Sequence, residues 1–65
     1  MQTNNLKTIR LNLGLKQSDI AKQLGVTKSA YGRWERGECF PRVNKLIKLA
    51  HIFGISIDNL MKILS

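Results

Sequence analysis

Apolar residues recur along the chain at helical spacing, and glycines divide them into five short segments. In the first segment, Leu6, Ile9 and Leu13 fall on one face of a helix. No segment shows the sustained alternation of apolar and polar residues that a half-buried strand requires. The pattern therefore predicts an all-α fold of five helices. We place these helices at about residues 5–13, 17–24, 28–36, 43–53 and 57–64.

Residues suited to helix ends stand at the borders of these segments. Asn4 or Asn5 can cap the first helix, because an asparagine side chain can accept a hydrogen bond from a free backbone N–H. Thr27 and Ser56 can cap the third and fifth helices in the same way. Gly25 can adopt the left-handed backbone with which many helices end.

Basic residues outnumber acidic ones along the chain. Eleven Lys and Arg residues against four Asp and Glu give a formal net charge of +7 and a pI near 10.2. Eight of the basic residues lie between Lys16 and Lys48. This charge suits a polyanion, either nucleic acid or an anionic membrane surface. An anionic membrane surface is the less favoured partner, because the apolar residues are placed to pack into a hydrophobic core.

The length suits one small domain covering residues 1–65. The single cysteine, Cys39, leaves no intramolecular disulfide and no metal-ligand spacing. No apolar run approaches the ~18 residues that a membrane span needs, and the four residues after Met1 are polar. We therefore expect a soluble protein of the reducing cytoplasm.

The junction between the second and third segments has the composition of two helices that cross steeply through a short turn. Ala21 is small enough for the crossing point, and Gly25 supplies the sharp turn without strain. Tyr31 and Trp34 stand three residues apart, so they share the inward face of the third helix. We expect both rings in the core rather than stacked on bases.

The residues around this junction resemble the lambda-repressor-like (XRE-type) helix-turn-helix family, which includes phage repressors and Cro proteins. The matching stretches are GLKQSDIAKQLGV at 14–26, YGRWERG at 31–37, Pro41, LIKLA at 46–50 and FGISID at 53–58. The resemblance extends from about Leu6 to Leu64. It implies a compact five-helix domain whose second and third helices form the helix-turn-helix, with the third helix in the major groove of double-stranded DNA. The protein would then associate with the nucleoid when bound.

The resemblance also implies roles for individual residues. Gln17 matches the glutamine that hydrogen-bonds a phosphate and braces the recognition helix, and Arg10 and Glu35 match a structural ion pair. The expected base contacts are Lys28, Ser29, Gly32 and Arg33. The expected contacts to the DNA backbone are Gln17, Lys16, Thr27, Arg36, Arg42, Asn44 and Lys45.

Three positions depart from the family pattern. Lys16 stands where the family often has a capping Ser or Asn, so the second helix is less well capped. Lys28 replaces a glutamine of some phage repressors. Gly32 lies inside the recognition helix and costs ~1 kcal/mol of helix propensity relative to alanine.

The last segment has more apolar side chains than one helix face can turn inward. We expect Ile57, Met61 and Leu64 to form a dimer surface, with packing into the core of the same chain as the alternative. A homodimer would read a near-palindromic operator.

The sequence contains no arrangement suited to catalysis. Its four acids are scattered, and His51 has no partner residues for a ligand or catalytic role. We expect no enzyme activity, no metal, no cofactor, no small-molecule ligand and no membrane partner.

Together with the family resemblance, these features favour a Cro-like repressor that acts by occupying its operator. The alternatives are an antitoxin-type regulator that also binds a partner protein, a helical protein-interaction module, and the excised DNA-binding domain of a longer repressor.

Overall fold

The computed structural model describes residues 5–64, and these residues form five helices and no strand. The helices are α1 Leu6–Asn12, α2 Gln17–Leu24, α3 Lys28–Glu35, α4 Val43–Phe53 and α5 Ile57–Leu64. The predicted all-α, five-helix fold is confirmed. Within residues 5–64, no helix is long and apolar enough to cross a membrane.

The hydrophobic core draws on all five helices. Residues with no exposed surface come from α1 (Leu6), α2 (Ile20, Leu24), α3 (Tyr31), α4 (Leu49) and α5 (Leu60). Ala21 is 2% exposed, as expected for a small residue where α2 packs against α3. The helices therefore enclose one continuous apolar cluster.

The inward face expected for the first helix is only partly correct. Leu6 is buried and Ile9 is half-buried, but Leu13 is 48% exposed. Helix α1 ends at Asn12, so Leu13 lies beyond the last turn that faces the core. The buried position one turn earlier is occupied by Arg10, a charged residue.

Two of the expected helix caps are present. The Thr27 hydroxyl accepts a hydrogen bond from the Ala30 amide at 3.1 Å, and the Ser56 hydroxyl accepts one from the Asn59 amide at 3.1 Å. Asn5 precedes α1 without a side-chain capping bond, so the expectation for Asn5 is wrong. Asn4, the other candidate, lies outside the described residues.

The start of α2 is capped by an acid that the sequence analysis did not single out. The backbone N–H of Lys16 donates to the Asp19 carboxylate at 2.9 Å, which is half of a capping box. At the other end, Gly25 has φ = 72° and the Val26 amide donates to the Ala21 carbonyl at 3.0 Å. This left-handed turn redirects the chain into α3.

Candidate nucleic-acid interface

Six of the predicted site residues meet at one concave, polar surface between the start of α2 and the exposed face of α3. Its lining residues are Gln17, Lys28, Ser29, Gly32, Arg33 and Arg36. Three of these side chains carry a positive charge, and none carries a negative one. The α2–α3 turn brings Gln17 to residues that follow it by 11 to 19 positions. We refer to this surface as the basic concavity.

Gly32 leaves the space into which two neighbouring side chains extend. A Cβ atom at this position would lie 3.2 Å from Arg36 Nη1 and 3.9 Å from both amide atoms of Gln17. The glycine is buried and helical, without the positive φ that would require glycine on backbone grounds. Its effect is therefore steric, because it leaves room for the ends of Gln17 and Arg36 over the helix backbone.

A buried polar network supports the concavity from below. Gln17 Nε2 donates to Glu35 Oε1 at 2.9 Å, while Arg10 Nε donates to Glu35 Oε2 at 2.6 Å. The Arg10 and Glu35 side chains are only 8% and 4% exposed. Arg10 Nη1 also donates to the Leu15 carbonyl at 3.0 Å. The network therefore connects α1, α2 and α3, and it fixes the orientation of the Gln17 amide.

The ionisation of this network follows from its contacts. Burial acts to raise the pKa of Glu35, but hydrogen bonds from Arg10 and Gln17 outweigh it and hold the pKa below its ordinary value. The hydrogen bond to Glu35 raises the pKa of Arg10. Burial, followed by the nearby Glu35 carboxylate, raises the pKa of Tyr31 well above its usual range. At neutral pH the ion pair is charged and the phenol is neutral.

The two aromatic rings of α3 lie in the core on the opposite side of the helix. Tyr31 and Trp34 pack edge to face, with ring centroids 5.8 Å apart and an interplanar angle of 70°. Their exposed fractions are 0% and 6%, so neither ring offers a surface for stacking on bases.

The other predicted backbone contacts lie outside the basic concavity. Lys16 and Thr27 are the residues directly before α2 and α3, and Arg42 and Asn44 are exposed at the start of α4. Lys45 is half-buried, and its Nζ donates to the Leu24 carbonyl at the end of α2 at 2.6 Å. The Lys45 ammonium is thus partly used to stabilise the C-terminal end of α2.

One acid at the edge of the concavity was not identified from the sequence. Glu38 accepts a hydrogen bond from Arg36 Nε at 2.7 Å, and both residues are exposed. This bond lowers the pKa of Glu38 and raises that of Arg36. The sequence signal was an acid directly after Gly37, because a glycine that ends a helix turns the next residue back towards the helix.

The surface around α4 and α5 has a different character. Ile57 and Met61 are 43% and 40% exposed, whereas Leu64 is half-buried against the core. A second, largely apolar groove runs between α4 and α5. It is lined by Gln23, Ile47, Lys48, Ala50, His51, Ile52, Ile55, Ser56 and Ile57. Among residues 5–64, no group of three or more His, Cys, Asp or Glu residues is placed to hold a metal ion.

Comparison with known proteins relates this geometry to one family. A family model described as helix-turn-helix matches residues 6–60. The prophage-derived HTH-type transcriptional regulator YonR of Bacillus subtilis is 40% identical over 57 residues, covering 88% of this chain and 53% of YonR. The cryptic phage CTXphi transcriptional repressor RstR of Vibrio cholerae is 30% identical over 61 residues, covering 94% of this chain and 55% of RstR.

A solved structure shares the same architecture. The crystal structure of a transcriptional regulator from Listeria innocua superposes with a TM-score of 0.82 at 36% identity, covering 92% of this chain and 59% of that one. The chain therefore spans little more than half the length of these three proteins.

Proposed function

The chain belongs to the lambda-repressor-like helix-turn-helix family, and from this premise we propose that it binds double-stranded DNA in a sequence-specific manner as a transcriptional regulator. One observation carries the proposal. Six residues expected to contact DNA line a single basic concavity on the exposed side of α3. A surface with three cations and two neutral polar side chains suits the phosphates and base edges of a duplex.

In this proposal α3 enters the major groove with its exposed face towards the bases. Lys28, Ser29 and Arg33 are exposed on that face and would reach the base edges. Arg33 would donate two hydrogen bonds to O6 and N7 of a guanine, the contact that its planar guanidinium fits best. Gly32 is covered by the ends of Gln17 and Arg36, so its helix backbone would approach the base pairs closely once Arg36 turns to the DNA backbone.

Gln17 would hold the DNA backbone at a fixed register. One N–H of its amide is used by Glu35, so the second N–H can donate to a phosphate oxygen. Because Glu35 is itself held by Arg10, the Gln17 amide is oriented before DNA arrives. The remaining backbone contacts would come from Lys16, Thr27, Arg36, Arg42, Asn44 and Lys45.

We propose that two copies bind as a two-fold dimer, because one recognition helix reads too few base pairs to discriminate well. Ile57 and Met61 would form the centre of the contact, with the half-buried Leu64 at its edge. The operator would be a near-palindrome with half-site centres ~34 Å, or about ten base pairs, apart.

The biological role proposed is Cro-like repression through occupancy of the operator. Its support is the similarity to a chain named as a phage transcriptional repressor. Bound at a promoter, a dimer of this kind would exclude RNA polymerase. A reporter with the selected operator placed across the promoter should fall in expression when the protein is present. A rise in expression would instead indicate an activator.

Selection of bound duplexes from random double-stranded DNA tests the proposal as a whole. We expect a near-palindromic consensus whose affinity falls with salt, with a log–log slope of roughly −0.9 per phosphate neutralised. The same selected site with its half-sites scrambled is the control. Failure to enrich any sequence, together with salt-independent or absent binding, would instead favour a helical protein-interaction module.

A further inference from the structure

Glu38 places a carboxylate beside the basic concavity, whose charged lining residues are all cations. We propose that Glu38 competes with the DNA phosphates for the Arg36 guanidinium. Its carboxylate holds the Arg36 guanidinium in the free protein and is displaced when Arg36 contacts the DNA backbone. The proposal rests on the DNA binding proposed above. It assigns Glu38 a role in setting the affinity of that site.

The backbone fixes the position of this carboxylate. Gly37 adopts φ = 74°, its N–H donates to the Trp34 carbonyl at 3.2 Å, and the Glu38 N–H donates to the Arg33 carbonyl at 2.9 Å. These two bonds form a Schellman motif, the standard left-handed ending of a helix. The motif turns the chain back at the end of α3, so the Glu38 side chain lies beside Arg36. The pairing is therefore a consequence of how the recognition helix ends.

The stability of the helix does not account for an acid at this position. The C-terminal end of a helix carries a partial negative charge, so a carboxylate there is less favourable than a neutral or basic residue. Glu38 is exposed and adds nothing to the hydrophobic core. Its close contact is with a cation of the proposed DNA surface.

The Arg36–Glu38 pair is of the kind that a phosphate can displace. The two side chains are 52% and 35% exposed, so solvent screens their attraction, in contrast to the buried Arg10–Glu35 pair. A DNA phosphate is also an anion, and it presents two oxygens to the guanidinium with the same geometry as a carboxylate. Arg33 also attracts the Glu38 carboxylate through its charge. DNA binding would therefore release Glu38 from both arginines.

A double-mutant cycle with Glu38→Gln and Arg36→Gln tests the competition on the selected operator at low salt. Glutamine keeps the backbone N–H of the Schellman motif and removes only the charge. We expect Glu38→Gln to bind roughly two- to fivefold more tightly than the original protein, since exposed ion pairs are weak. In the Arg36→Gln background most of this gain should be lost, because the hydrogen-bonded cation is gone and only the weaker attraction to Arg33 remains.

Asp58→Asn is the matched control, because Asp58 is an exposed acid on α5 that lies outside the basic concavity. It removes the same net charge and should change affinity less than Glu38→Gln does. Circular dichroism of each variant verifies that the fold is kept. An equal gain from Glu38→Gln and Asp58→Asn, or a Glu38→Gln gain that is undiminished without Arg36, would overturn the competitor role while leaving DNA binding intact. If the original protein binds no duplex at all, the proposed function fails and the competitor role fails with it.

Discussion

The α2–α3 corner and the α4–α5 end of the molecule lie over the same hydrophobic core but expose opposite chemistry. At the corner, Gln17 is held by the buried ion pair between Arg10 and Glu35, and cationic side chains surround it. At the other end, Ile57 and Met61 expose apolar surface beside a largely apolar groove. One region is defined by oriented hydrogen bonds and the other by shape and apolar area.

This difference matches two kinds of recognition. Hydrogen bonds weaken steeply when their geometry is poor, so a surface that reads bases needs side chains held in place in advance. Apolar contact has no preferred direction, so it can join two copies without a supporting network. The buried pair is costly to build in a domain this small. Its position directly beneath Gln17 indicates where rigidity is needed.

The largest expected effect comes from breaking the buried pair. Arg10→Met or Glu35→Gln each leaves one charged or polar group buried without its partner, at a cost of ~3–5 kcal/mol of folding stability. Because this approaches the whole stability of a domain of this size, ~3–5 kcal/mol, all variants are compared in the same concentration of a stabilising osmolyte such as TMAO. Urea or thermal melts of both single variants and the double variant measure the coupling. The double variant should lose less than the sum of the single losses, and strictly additive losses would contradict the pairing.

The same pair predicts how stability depends on pH. The pKa of Glu35 is lower in the folded protein than in the unfolded chain, so the folded state binds fewer protons in the acidic range. Stability should therefore be complete above the unfolded pKa of about 4.3 and fall as the pH decreases through the folded value. Melts between neutral pH and about pH 3 measure the loss. The Arg10→Met/Glu35→Gln double variant, which leaves no unpaired buried charge, should flatten the curve relative to the original protein, and an unchanged curve would exclude Glu35 as its source.

At the α4–α5 end, a charge at Met61 should disrupt the proposed dimer. Met61→Glu would place a carboxylate in the apolar contact and weaken cooperative operator binding on the order of tenfold, or about 1.4 kcal/mol. Leu11→Glu is the control, because Leu11 is an exposed leucine on α1 that is not among the residues of the proposed dimer contact. Sedimentation of the complex measures the stoichiometry. One chain on an asymmetric site, or equal effects of the two changes, would contradict the dimer.

The smallest expected effect comes from Gly32→Ala, which should change folding stability and DNA affinity in opposite directions. Gly32→Ala should raise stability by up to ~1 kcal/mol through helix propensity. The added methyl group would lie in ordinary contact with Gln17 at 3.9 Å but crowd the flexible end of Arg36 at 3.2 Å. Arg36 would therefore shift outwards, and DNA affinity should fall by less than tenfold. Melts and operator titrations of one preparation measure both quantities. Improved stability with unchanged affinity would show that the space above Gly32 is not used.

Local sequence signals predicted much of the fold because they act over a few residues. Helical spacing and glycine placement identified the five helices, and the Thr27 and Ser56 caps depend only on the residues that follow them. The exposure of Leu13 was missed, since it depends on where α1 ends relative to the core. The Gln17–Glu35 bond joins residues 18 positions apart, and no local pattern specifies such a contact. The Arg10–Glu35 pairing could be anticipated only from the family resemblance.

The most direct measurement of the central role of the basic concavity is a comparison of the DNA sequences selected by two charge-matched variants. Arg33→Ala removes a cation from the concavity, and Lys48→Ala removes one from the apolar groove. We predict that Arg33→Ala loses ~1–3 kcal/mol on the best site and loses its preference at one G·C base pair. Lys48→Ala should keep the original consensus with a small, uniform loss of affinity. An unchanged consensus for Arg33→Ala, or a changed one for Lys48→Ala, would contradict the placement of the reading surface on α3.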